Sequence, residues 1–174
     1  RDAKPEDEII ALPVPPAVGV LPKVETGVHQ AVLDRVYAAM ATARLDVLVL
    51  GRRDSVAYAT GARSLWTAGT RPFGAACVLV ARPRSTHLLS TWDAGVPPEV
   101  PFGHLYGITW NPATMAASLA AIPGFPEARR LGVDALSPGF ERAAHRLAPG
   151  AELVPADDVL RAARECDPNM PVIV

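Results

Sequence analysis

Nowhere does this chain carry the roughly 18 consecutive apolar residues that a membrane-crossing helix needs, and no spanning helix or membrane partner is expected. The nearest approach, residues 9–21 (IIALPVPPAVGVL), contains Pro13, Pro15 and Pro16, which break any helix there. No basic stretch leads into a clean apolar helix, so a secretory leader is a poor reading. Cysteine is scarce. Cys77 and Cys166 are too few for a disulfide framework, a usage that fits a reducing cytosol and a cytoplasmic protein. Neither charge sign is in surplus, with 17 basic against 18 acidic residues, so the basic footprint that nucleic-acid phosphates require is missing. Also missing are the glycine-rich phosphate loops, H-E-x-x-H, C-x-x-C and the G-x-S-x-G elbow.

What is present is apolar bulk. Of 174 residues, 49% are hydrophobic, and a chain of this length buries about 70% of the surface its unfolded form exposes. That supports one ordinary domain with a real core. The chain opens on Arg1 rather than Met, and it is expected to be a piece of a longer protein.

Residues 1–25, charged and then proline-rich, read as an extended arm. Val28, Val32, Leu33, Val36, Tyr37 and Met40 then recur on one face of a 3.6-period helix, with Thr26 as its cap. Leu45–Leu50 is apolar on both faces apart from Asp46, as an interior strand of a covered sheet would be. Residues 52–61 (RRDSVAYATG) read as a turn, a short apolar piece and a glycine stop, and residues 62–73 as a long loop. Residues 75–81 and 86–89 form a hairpin pattern, and 104–110 a further short strand. Asn111 caps a helix carrying Met115, Leu119 and Ile122. A strand at 130–134 leads to a helix opened by Ser137-Pro138, with Phe140, Ala143, Ala144 and Leu147 inward. A strand at 152–154 and a helix at 158–165, capped by Asp157, finish the order. The expected fold is α/β: three layers, with a mixed β-sheet between helices on both faces.

Candidate chemistry is thin. His29 and His145 sit on helices beside charged neighbours and read as surface residues; His87 lies in a strand and reads as structural. His104 borders a loop and is a candidate for touching a ligand. Cys77, in the run Ala75–Val80, reads as a small buried hydrophobe. Asp157-Asp158 fits helix capping better than acid/base work. A metal-dependent nuclease needs several carboxylates at strand ends, and only Asp46 and Asp134 qualify. No catalytic residue and no metal ligand is assigned. One segment gathers unusual residues: Tyr58, Arg63, Trp66, Arg71 and Phe73, between Gly61 and Gly69. Loops on a rigid scaffold often carry function, and Trp with Arg is a common interface pairing. The alternative is that Trp66 and Phe73 plug the end of the sheet while the arginines face water.

Three local patterns resemble the amino-terminal domain of the creatinase, prolidase and aminopeptidase P family. Leu33–Met40 followed by Leu45–Leu50 resembles the family's opening helix, late methionine and "Asp-ala/val-leu-leu" strand. Residues 54–61 (DSVAYATG) resemble its "N-v-x-Y-x-T/S-G" signature; Tyr58, Thr60 and Gly61 match, while Asp54 and Ser55 depart. Residues 163–169 (AREСDPN in outline, Ala163 to Asn169) resemble the "R-x-i-K-d-p-x-E-i" hinge, with Cys166 in place of Lys and Met170 in place of Glu. The resemblance implies a ribonuclease H-like mixed sheet over residues 26–165 and a hinge beginning at 166–174. It implies a carboxy-terminal pita-bread domain that holds the catalytic machinery, including two divalent metal ions (Mn, Co or Zn), or none in a creatinase-like relative. It also implies a homodimer. Within such an enzyme Tyr58, Arg63, Trp66, Arg71, Phe73 and His104 are candidates for the active-site rim or an interface. The other reading is a stand-alone binding or dimerisation module of the same fold.

Overall fold

The computed structural model describes residues 26–62, 76–90, 95–107, 111–135 and 137–166. Six strands form one sheet: β1 Val47–Leu50, β2 Cys77–Val80, β3 Ser85–Leu89, β4 Leu105–Tyr106, β5 Arg130–Val133 and β6 Glu152–Pro155. The order is β4-β3-β2-β1-β5-β6. β2 runs antiparallel to both β1 and β3, and the remaining pairs are parallel. The sheet is therefore mixed, as expected. Five helices cover it: α1 Thr26–Thr42, α2 Arg53–Thr60, α3 Pro112–Ala120, α4 Pro138–Leu147 and α5 Asp157–Glu165.

The period of two along a strand divides the core into two layers. Leu48 and Leu50 of β1, Cys77 and Leu79 of β2 and Leu88 of β3 meet Val32, Val36, Tyr37 and Met40 of α1, Val56 and Ala59 of α2, and Val159, Leu160 and Ala163 of α5. On the other face Val47, Val49, Val78, Val80, Leu131 and Val133 meet Met115 and Leu119 of α3 and Phe140 and Ala144 of α4, with Phe125 between them. All four residues of β1 and of β2 are buried. That explains why the Leu45–Leu50 run lacks polar alternation. Cys77 is fully buried, and burial pushes its thiol well above the usual range.

The helix caps expected at Asn111 and Ser137 are present. The Asn111 side chain accepts the Ala113 N–H at 2.9 Å, and the Ser137 hydroxyl accepts the Phe140 N–H at 3.2 Å. Four expectations need correction. Residues 53–60 form a helix, α2, rather than a turn with a short apolar piece. Of the strand read at 104–110, only Leu105–Tyr106 pairs, and Phe102–His104 is a 3-10 turn; residues 108–110 lie outside the described residues. Asp157 is not the cap of α5. Ala156 occupies that position, while Asp157 sits in the first turn and pairs with Arg52 at 2.8 Å. His29 is half-buried rather than solvated, because its ring covers Gly61.

Candidate functional site

α2 owes its start to a residue far away in sequence. The Asp134 carboxylate, buried at the end of β5, accepts the Gly51 N–H at 2.6 Å and the Arg52 N–H at 3.2 Å. A carboxylate there satisfies backbone donors that no local side chain reaches and complements the helix dipole. Burial raises its pKa, while the Gly51 N–H, the Ser55 side chain and the Arg52 N–H oppose the rise. α2 ends at Gly61, whose φ of 70° is left-handed and whose N–H reaches the Ala57 carbonyl. Any side chain at Gly61 would collide with the His29 imidazole, so this glycine is required both for the turn and for the packing of α1.

Between α1, the end of α2, β3 and the 3-10 turn lies a cavity of about 540 Å³. Leu33, Tyr37, Ala59 and Val100 supply apolar wall; Asp34, Arg84, Glu99, His29 and His104 supply charge and polarity. Arg84 reaches Asp34 at 3.3 Å and lies over the Tyr37 ring at 5.4 Å. Burial pushes the Tyr37 hydroxyl up to about 12, so it stays protonated.

His104 forms part of this wall. Its Nδ1 lies 3.1 Å from the Thr86 carbonyl, and its ring stacks on His87 at 4.2 Å. His87 is buried, with Nε2 at 2.9 Å from the Ser85 hydroxyl. Burial, then the neighbouring His104, lowers its pKa to about 4. A neutral imidazole held between a serine hydroxyl and a stacked ring is structural, as the sequence suggested. Tyr58 is half-buried on α2, with the Arg164 guanidinium 4.9 Å above its ring. It ties α2 to α5. Arg63, Trp66, Arg71 and Phe73 lie outside the described residues. The structure thus packs Tyr58 against the layer of α1, α2 and α5 and holds His104 at the 3-10 turn, stacked on His87 of β3. The cavity itself was missed, since its walls come from four separate elements. Its one sequence signal was the half-matched pattern ending at Thr60 and Gly61.

The nuclease alternative fails on geometry. Asp46 precedes β1 and accepts the Arg129 and Arg130 N–H groups at 2.8 and 3.1 Å. Asp134 follows β5 at the opposite end of the same parallel pair. Four residues of strand, about 13 Å, separate the two, too far to share a metal ion. Among the described residues no group of three His, Cys, Asp or Glu side chains could hold one. The resemblance places its metal ions in the carboxy-terminal domain, not among these residues. No helix among the described residues is long and apolar enough to cross a membrane.

A mixed six-stranded sheet between helices on both faces, with Asp46 and Asp134 accepting backbone N–H groups at its strand ends, defines a three-layer α/β domain. The family described as Creatinase/Prolidase N-terminal domain matches residues 33–166, and the chain belongs to that family. Solved structures agree in fold. The aminopeptidase P (Xaa-Pro aminopeptidase) of Streptococcus thermophilus is 16% identical, with 79% of this chain and 98% of that one covered at a TM-score of 0.56. The N-terminal domain of the cytoplasmic peptidase PepQ of Mycobacterium tuberculosis is 20% identical, covering 77% and 98%, TM-score 0.55. In the Xaa-Pro dipeptidase of Bacillus anthracis, 14% identical with a TM-score of 0.51, 78% of this chain covers 36% of the longer protein. No match in sequence was found among curated proteins.

Proposed function

We propose that this chain is the non-catalytic N-terminal domain of a creatinase-like or Xaa-Pro peptidase-like hydrolase of the cytoplasm. It shapes the rim of the active site and contributes to a homodimer interface. The observation that carries the reading is the family match over residues 33–166. The chemistry, with two divalent metal ions where they are used, belongs to a catalytic domain following the 166–174 hinge. The rim is assigned to the segment from Tyr58 to Phe73. This segment runs out of α2 past Thr60, which lines the cavity that His104 also borders.

Two measurements test the reading. The coding sequence beyond Val174 should supply roughly 200–250 further residues, the size of a second domain, with the Asp, His and Glu ligands of a pita-bread fold. A stop codon there would favour the stand-alone binding or dimerisation module. The purified chain, supplied with Mn²⁺, Co²⁺ or Zn²⁺, should release no proline from an Xaa-Pro dipeptide above the buffer blank. Turnover by this chain alone would sink the non-catalytic assignment.

A further inference from the structure

Among the described residues one that is not glycine has a positive φ: Arg44, at 56°. It stands just past α1. Its N–H reaches the Ala41 carbonyl at 3.1 Å, and the Leu45 N–H reaches the Met40 carbonyl at 2.9 Å. This is the left-handed helix stop that glycine fills at least cost. An arginine held there against backbone preference points to a use for its side chain.

Arg44 lines a recess of about 690 Å³ at the end of the sheet where β1 begins and β2 ends. Arg82 and Arg84, from the turn between β2 and β3, line it too. Two segments distant in sequence thus bring three guanidinium groups to one recess. Neither Arg44 nor Arg82 makes an ion pair with a described residue. Arg84 pairs with Asp34 at 3.3 Å, but both are exposed, so that pair is weak. Asp46 and Glu127 add two negative charges to the lining, and Asp46 already accepts the Arg129 and Arg130 N–H groups. The balance in the recess stays positive. Its floor is apolar, with Leu45, Val80 and Ala128 buried.

We propose that this recess binds a small organic phosphate, with the Arg44 and Arg82 guanidiniums on the phosphate oxygens and the organic portion on the apolar floor. The planar fork of arginine matches two phosphate oxygens at once. The volume falls within the roughly 300–1,000 Å³ of small-molecule sites. This inference is independent of the hydrolase assignment, which the downstream coding sequence decides.

Calorimetric titration of the purified full chain at about 0.15 M salt, where weak surface attraction is screened, tests it. Adenosine monophosphate is the probe, and its dissociation constant is expected on the order of 0.1 mM. Adenosine, which lacks the phosphate, should not bind. Inorganic phosphate should bind about tenfold more weakly, because it leaves the floor bare. R44G places glycine at a position that suits it, so its melting temperature should equal or exceed that of wild type while binding weakens about tenfold. R82Q changes an exposed side chain in a turn and should weaken binding similarly. R142Q removes the same charge from the exposed surface of α4 and should bind like wild type. No binding at millimolar adenosine monophosphate overturns the inference. So does adenosine binding as tightly, or full affinity in both R44G and R82Q, or an equal loss in R142Q. Inorganic phosphate matching adenosine monophosphate overturns the role of the floor.

Discussion

The two faces of the sheet are built differently. Under α3 and α4 the strands present valines, whose short branched side chains leave a gap that Phe125 and Phe140 fill. Under α1, α2 and α5 they present leucines, which reach further and meet small side chains such as Ala59 and Ala163. The helices differ too. α3 and α4 are capped by their own neighbours, Asn111 and Ser137. Neither α2 nor α5 has a side-chain cap hydrogen bond; α2 is begun by Asp134 from across the sheet, and the first turn of α5 is tied to Arg52. The valine face is closed by local sequence. The leucine face is closed by long-range contacts, and the cavity, Tyr58 and the family signature all lie on it. The cavity lies where the scaffold depends on residues distant in sequence.

The largest expected effect tests whether the two layers form one unit. F125A on the valine face should cost about 3–5 kcal/mol, and L48A on the leucine face about 2–5 kcal/mol. Denaturant unfolding followed by far-ultraviolet circular dichroism should remain a single transition in both. A second transition in either variant would mean that the layers unfold separately.

Next comes D134A. It leaves the Gly51 N–H without its carboxylate and strips the start of α2, at an expected cost of about 2–3 kcal/mol. Hydrogen exchange should accelerate in α2 well before α3 and α4. Uniform acceleration would deny α2 its special dependence on Asp134. The smallest effect belongs to the local caps: S137A should cost about 1 kcal/mol, a small shift in the urea midpoint with unchanged slope. A loss as large as that of D134A would erase the contrast between local and distant helix starts.

The same contrast explains what could be read without coordinates. α3 and α4 were legible because a capping side chain and an apolar period stand within a few residues of each other. β1 and β2 were legible as continuous apolar runs. α2 was not: its N-terminal partner is 82 residues away, and eight residues give barely two turns of period. The distance also explains Asp134, which in sequence could pass for a metal ligand and in the structure completes a backbone. Of the candidate residues, His104 stands on the 3-10 turn, and the recess it borders needed α1, β3 and that turn brought together.

One feature of the last strand bears on how the protein behaves when crowded. β6 turns the Glu152 N–H inward to β5, as does Ala156 just beyond it. By alternation Leu153 and Pro155 face out, and Pro155 has no N–H to give. The open margin of the sheet therefore offers little to a foreign strand, and at the other margin β4 is only two residues long. Such margins resist the edge-to-edge stacking that starts aggregates and fibrils. A concentrated solution of this domain should therefore stay free of strand-to-strand stacks that grow without limit.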